Sequence, residues 1–400
     1  MTKRLIKQKS AAAAAVAVGI VPAGAQQFDA DKWLSYEAGP AVILPKAQLG
    51  MTYDSDVFLG TSPTSQSDIY FNVRPEIEAT IGAQDLSYLR FSYAPNYLKF
   101  LETDLLTRVD HVGTFNVRID RPKTTVNGTT QVQKIGGFLG DFQNFAINPT
   151  DRLIHNHNYR LLQNISGKVS GSLAFSYAVQ DYDSKANLLD TQSWRVTAGS
   201  VYDLSEKLDL LGEVFYGKGS SSVNANPTLG TTDATEMGFY VGAEAEFTPK
   251  LTGEVRLGFQ NYKFDGAGDA SAVTSEVQLN YELSPLSRIG LVVSRGISQS
   301  IQIANNSFVY TDIGVNYAQM LDAAGRWGAN TAIRYRFSEF DGAAFAGRTD
   351  NFFTYSAGLS YFMNDWLQAG LQYSYNDFST NLGAQEYSVH RIGVNVSVGY

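Results

Sequence analysis

The chain has 400 residues, 39 Asp and Glu against 31 Lys and Arg, no Cys, and a formal net charge of −8. An acid-rich balance argues against a nucleic-acid partner and against a polybasic membrane-surface binder, and the lack of Cys excludes disulfide staples and a lipidated cysteine. The 23 Tyr, 23 Phe and 36 Gly, against 11 Pro, are a rich supply of strand formers and tight-turn residues.

The N-terminus reads as an export signal. Lys3, Arg4, Lys7 and Lys9 form a positive n-region, Ala11 to Val21 an apolar core too short to span a bilayer, and Ala23-Gly24-Ala25 an A-x-A cleavage site. Residues 1–25 are therefore expected to be removed by cleavage between Ala25 and Gln26. Taking those four cations from 31 Lys+Arg leaves 27 against 39 acids, a net charge of −12. Residues 26–42, with Trp33 and Tyr36, are expected to form a short periplasmic arm, too short for a plug or a passenger domain. Beyond Val21 no apolar run approaches the roughly 18 residues of a transmembrane helix.

From residue 43 to 400 the chain is a succession of period-two segments. Eighteen are predicted, at 44–53, 68–82, 85–100, 108–121, 123–135, 154–166, 169–181, 190–202, 207–217, 235–247, 250–263, 271–283, 286–296, 307–320, 326–339, 351–363, 366–377 and 386–400. Leu173, Phe175, Tyr177 and Val179 against Ser170, Ser172, Ser176 and Gln180 show the alternation, as do Met237, Phe239, Val241 and Phe247 against Glu236, Tyr240, Glu244 and Glu246. Links alternate too: long ones such as 136–153, short ones such as Thr248-Pro249, Ser284-Pro285 and Asn364-Asp365. The pattern predicts an all-β fold, a single antiparallel transmembrane β-barrel of about 18 strands over 43–400. Its long loops lie outside, its short turns lie in the periplasm, and the sheet is closed with no free edge.

Aromatics near the short turns (Tyr202, Phe247, Tyr281, Tyr317, Trp327, Tyr361, Trp366 and Tyr400) fit an interfacial girdle. No blade repeat of about 40–50 residues supports a propeller. At the C-terminus Val394, Val396, Val398 and Tyr400 share one face. A terminal aromatic on such a strand resembles the signature that outer-membrane barrels present to their assembly machinery. Tyr400 is thus the expected assembly signal, with that machinery and outer-membrane lipid as partners.

The first hairpin carries Tyr53-Asp54-Ser55-Asp56-Val57-Phe58-Leu59, then Ser67-Asp68 and a strand with Arg74-Pro75. This resembles the opening of the putative β-barrel porin-2 family, which typically reads Tyr-Asp-Ser-Asn-Val-Phe; here Asp56 replaces the Asn. The resemblance extends as strand rhythm from Tyr53 to Tyr400. It implies an outer-membrane channel or a polysaccharide-linked role, since such barrels are often associated with exopolysaccharide gene clusters. It implies no catalytic residues.

Catalytic chemistry is not apparent. His155-Asn156-His157 is the sole histidine cluster, its two imidazoles pointing the same way at the outer mouth, and a metal site there would need a third ligand such as Asp151. His390 is predicted to face lipid while Ser360 and Ser374 face inward, so no Ser/His pair can be placed. There is no G-x-S-x-G elbow, P-loop or H-E-x-x-H. No enzyme, cofactor or metal is expected.

Three functions stay open: a passive porin for small polar solutes, an exopolysaccharide exit conduit or partner, and a structural barrel with a closed lumen. The loop 136–153, Gly-rich with Phe138, Phe142 and Phe145, either folds inward to constrict the pore and stack on sugars or packs on the rim. Strand phase puts an acidic arc on the inner face of strands nine to twelve: Asp209, Glu213, Glu236, Glu244, Glu246, Glu254, Glu276 and Glu282, with Arg256 among them. The remaining wall is mainly basic, with Arg74, Arg90, Arg118, Arg160, Lys168, Arg195, Arg288, Arg334, Arg336 and Arg391 against Glu76, Glu78, Asp110, Asp120 and Asp312. Either the two sides set up a transverse field, or acids and bases pair between neighbouring strands. The inner-face sum predicts weak cation preference.

Overall fold

The computed structural model describes residues 35–60, 65–83, 86–137, 150–183, 188–222, 232–265, 268–302, 306–340, 347–381 and 386–399. Strands β1 (Tyr36–Ala38), β2 (Ala41–Asp54), β3 (Asp68–Gly82), β4 (Tyr88–Phe100), β5 (Arg108–Asp120) and β6 (Thr124–Ile135) open the chain. There follow β7 (Arg152–Asn164), β8 (Val169–Tyr182), β9 (Asp190–Ser205), β10 (Leu208–Ser222), β11 (Thr232–Thr248), β12 (Leu251–Phe264) and β13 (Asp269–Ser284). The last six are β14 (Ser287–Gln299), β15 (Ser307–Met320), β16 (Trp327–Phe340), β17 (Thr349–Asn364), β18 (Leu367–Thr380) and β19 (Tyr387–Val398).

Each strand from β2 to β19 pairs antiparallel with the next, and β19 pairs with β2 from Arg391↔Asp54 to Val398↔Ala47. The result is a closed 18-stranded barrel. The period-two pattern explains its two surfaces. Leu173 and Phe175 on β8, Met237, Phe239 and Val241 on β11, and Val394 and Val396 on β19 are all exposed on the outside. An apolar exterior of this extent is what a lipid-facing wall requires. The predicted girdle positions Tyr202, Phe247, Tyr281, Trp327 and Trp366 are exposed as well, near the short turns.

The short turns share one chemistry. Thr248 Oγ1 accepts the Lys250 and Leu251 N–H groups (3.3 and 3.0 Å), Ser284 Oγ that of Leu286 (3.2 Å) and Asn364 Oδ1 that of Trp366 (3.1 Å). A side-chain acceptor replaces a backbone one, which lets two residues reverse the chain. In all three hairpins the register slips by one residue beside the turn.

Three details differ from the sequence reading. The end of the N-terminal arm is not separate: β1 turns at Gly39 and Pro40 and pairs with the first residues of β2. The long link expected at 264–270 shrinks to four residues, because β12 and β13 stay paired up to Lys263↔Asp269. Lys168 stands exposed in the β7–β8 turn and not on the inner wall.

The wall is one layer thick except at its outer mouth. β13 pairs with β12 up to Asp269, but with β14 only as far as Ser275↔Arg295. Beyond that point β14 and β15 stay paired to Gln299↔Ser307 and lean into the lumen. Ile297 and Val309, outward by phase, pack against the inward-phase Ala234, Tyr262, Phe264, Ala270 and Ala272. Two sheet faces in contact lie about 10 Å apart, so this hairpin narrows the mouth by roughly one layer.

Candidate functional site: the lumen and its outer mouth

The tucked β14–β15 hairpin is fastened by polar contacts at its tip. Gln260 Oε1 accepts the Ile297 N–H (2.9 Å), Gln299 Nε2 donates to Ser221 Oγ (3.0 Å), and Ile301 C=O accepts the Leu189 N–H (2.8 Å). Ile301 then packs with Tyr182 and Leu188. The segment therefore crosses the inner faces of β13 to β10 and reaches the loop between β8 and β9.

A second element enters the mouth from β2. In the turn 54–60 Asp54 Oδ1 accepts the Asp56 N–H (3.0 Å), while Asp56 Oδ1 and Oδ2 accept the N–H groups of Phe58 (3.1 Å) and Gly60 (2.9 Å). Leu59 and Gly60 adopt left-handed φ of 51° and 69°. The turn drives Val57 into a cluster with Leu98, Phe100 and Leu106, and Leu59 into one with Phe352, Phe378, Tyr387 and Val389. Asp56 uses both carboxylate oxygens as acceptors. An Asn, the residue typical of the resembled family here, has only one acceptor oxygen.

Below this turn lies a lumenal cavity of about 400 Å³, lined by the apolar Val57, Leu59, Phe100 and Leu106 together with Arg108, Arg152 and Arg391. Arg391 Nε donates to Asp54 Oδ2 (2.6 Å) and Arg108 Nε to Asp110 Oδ1 (3.1 Å). A second cavity of about 200 Å³ shares Tyr70 and Leu98 with the first and continues down the wall between Gln48, Thr52, Asn72, Asn96, Gln372 and Asn395. Here the lining carries no charge. Asn72, Asn316, Asn330 and Asn395 each lie across the ladder from a glycine, Gly50, Gly290, Gly358 and Gly370, where a Cβ would sit within 2.3–2.5 Å of the amide oxygen. Glycine vacates that space, so the amides lie flat along the wall. With Thr354, Ser356, Ser360, Gln368 and Ser374 in the same phase, a strip of amides and hydroxyls runs along the inner face of β17 to β19 and onto β2 and β3, where the charged Lys46, Arg74, Glu76 and Glu78 take over toward the short turns.

The predicted acidic arc has its phase on the inner face of β10–β13, and much of it is tied up. Glu213 meets Arg160 (3.2 Å) and Arg256 (3.3 Å), Glu276 meets Arg256 (3.3 Å), and Glu254 also bonds Arg256. Arg195 Nε donates to Glu236 Oε2 (3.2 Å), its guanidinium lies 4.7 Å from the Phe215 ring, and Gln260 Nε2 donates to Glu236 Oε1 (2.6 Å). Glu246 pairs with Lys207 (3.5 Å); Glu282 stands opposite Arg288, and Asp209 opposite Glu244.

The basic wall is likewise stitched. Arg334 and Arg336 both bond Asp312, Arg90 meets Glu78 (3.4 Å), Arg74 meets Glu76 (3.7 Å), and Arg118 meets Asp120 (3.3 Å). Short-range pairing between neighbouring positions thus offsets charge on both sides, which shrinks the field that separated charges would create.

Sequence reasoning missed both tucked elements. Phe138, Phe142 and Phe145 of the expected constriction loop lie outside the described residues, as do Tyr400 and the Ala25–Gln26 cleavage pair. A signal for the hairpin was present. Ala234, Ala270 and Ala272, with Phe264 beside them, put apolar residues on an inner face that only a second layer would cover.

The family match agrees with the barrel reading. Residues 225–400 match the family model described as putative beta-barrel porin 2, a stretch that does not include the first hairpin. No curated protein matches the chain. Among solved structures, OpdO of Pseudomonas aeruginosa is similar with a TM-score of 0.46 and 12% identity, over 89% of this chain and 97% of that one. OccK1 (OpdK) of the same organism gives 0.45 and 12%, over 90% and 99%. A BenF-like porin of Pseudomonas fluorescens Pf-5 gives 0.45 and 10%, again over 90% and 99%. Barrel fold and family match together imply an outer-membrane protein, and the chain resembles the putative β-barrel porin 2 family, whose sequence pattern it carries over residues 225–400.

Proposed function

We propose that this protein is an outer-membrane channel for the passive passage of small polar solutes. The observation that carries the reading is the pair of linked lumenal cavities running from the Arg-lined mouth onto an uncharged strip of amides and hydroxyls. Such a strip exchanges hydrogen bonds with a passing solute at little net cost, which permits entry and exit without tight binding. An 18-stranded barrel is wide enough to hold an aqueous path, and the two tucked elements set how much of it remains open.

Because most lumenal charges are paired, ionic selectivity should be weak and slightly cationic, in keeping with the excess of inner-face acids. Planar-bilayer recording tests both statements. Expected are discrete openings and a small cation-positive reversal potential in a salt gradient, reduced when Glu244→Gln, Glu254→Gln and Glu276→Gln are combined. Absence of any conductance would overturn the channel reading; clear anion preference would overturn the charge reading alone. Export through a signal peptide removed after Ala25 belongs to the same proposal, and an outer-membrane form whose intact mass still includes residues 1–25 would refute it.

A further inference from the structure

All four histidines, His111, His155, His157 and His390, have outward phase and lie near the long-loop ends of their strands. Three share one arrangement: Nδ1 is engaged by a hydroxyl, at 2.8 Å by Tyr93 for His111, 2.9 Å by Thr130 for His157 and 2.9 Å by Tyr373 for His390. When Nδ1 accepts from the hydroxyl, the proton is on Nε2 and points away from the wall. The His157 contact is built from further back. The Tyr159 ring occupies the space a Cβ on Gly128 would need (2.1 Å to Cδ1), and its hydroxyl bonds the same Thr130 oxygen (2.6 Å).

Three of the histidines cluster with a lysine. Lys134 of β6 is the direct cross-strand partner of His111 on β5, and His155 and His157 of β7 stand opposite Val132 and Thr130 of β6. Lys134 is exposed and makes no ion pair among the described residues. Asp181 of β8 is the acid in this patch, set across Leu153 from Lys134. Higher up, Lys99 is paired with Asp104 (2.5 Å). Elsewhere on the exterior Lys263 stands directly opposite Asp269, which compensates it locally. Below the patch the wall turns apolar with Phe115, Leu161, Leu173 and Phe175. His111 and His155 are each the fourth residue of their strand, so at about 3.3 Å per residue on a tilted strand they lie roughly 8–10 Å inside its outer end.

A lysine and three imidazoles on a lipid-facing wall are costly unless an anion meets them. At this depth the available anion is the phosphate of a lipid headgroup, since a free ion would have to leave water for the boundary with acyl chains. We infer that the patch of His111, Lys134, His155 and His157 binds the phosphate of a phosphorylated glycolipid in the outer leaflet. The inference uses the outer-membrane placement but not the channel reading.

Native mass spectrometry of the detergent-solubilised full-length barrel with bisphosphorylated lipid A tests it. Expected is a retained one-lipid adduct whose apparent affinity falls about tenfold or more in the combined variant His111→Gln, Lys134→Gln, His155→Gln and His157→Gln, and is unchanged in His390→Gln. Heat-modifiable migration shows that the combined variant is folded. Should it not fold, wild-type protein alone decides: fully dephosphorylated lipid A must not be retained. Equal retention of the two lipids, or equal retention by the folded variant, would overturn the inference. So would complete displacement of lipid A by millimolar inorganic phosphate, which would make the site one for free phosphate.

Discussion

The two elements that narrow the mouth do so by opposite physics. The turn at 54–60 is a hydrogen-bonded object: two aspartates spend their oxygens on three backbone N–H groups and one arginine, and the apolar residues follow where the turn sends them. The β14–β15 tip is an apolar lamination, Ile297 and Val309 laid on Ala270, Ala272 and Tyr262, with single hydrogen bonds at its margin. A turn specified by directional bonds is sensitive to the loss of one acceptor. A lamination tolerates the loss of one polar contact and fails when a charge enters it.

That contrast can be broken in order of size. Ile297→Asp places a carboxylate in the lamination and should cost about 3–5 kcal/mol of hairpin docking, read as a larger, noisier conductance from a barrel that still shifts on heating. Arg391→Gln leaves the buried Asp54 with one cationic partner fewer; because Arg391 is partly exposed to the lumen, a loss of about 2 kcal/mol is expected, seen as protease access at residues 55–60. Asp56→Asn removes one acceptor and should cost about 1 kcal/mol in the same assay. Gln299→Ala, at the margin of the lamination, should cost about 0.5 kcal/mol and leave conductance unchanged. If Asp56→Asn proved silent while Gln299→Ala opened the mouth, the assignment of directional bonds to one element and packing to the other would be reversed.

How much of this could be read beforehand follows from what alternation encodes. Period two fixes which side chains share a face, so the strand count, the closed sheet and the inner phase of Glu213, Glu254 and Arg334 were legible. Alternation does not say what covers a face. Ile297 alternates like any lipid-facing residue, and only the apolar residues on the inner face opposite it, the alanines and Phe264, hint that another sheet is there. Pairing was open as an alternative, but which acid meets which base was hidden, because Glu213 finds Arg160 and Arg256 across intervening strands, at sequence separations of 53 and 43. The first-hairpin motif was visible as a string of residues, while its purpose needed the folded turn: Asp56 is a double acceptor and not a surface charge.

The turn at 54–60 is also cast against the far end of the chain. Ser55 N–H donates to His390 C=O (2.9 Å) and Ser55 Oγ accepts the His390 N–H (2.8 Å). Arg391 holds Asp54, Leu59 rests on Tyr387 and Val389, and a Cβ on Gly60 would strike the Glu386 carbonyl at 2.7 Å. The first loop made during synthesis therefore has no mould until the last strand arrives. Its shape is a mark of completion: a barrel missing its final strand would lack not only a wall segment but also the lip of its own entrance, so the vestibule ripens only when the cylinder seals.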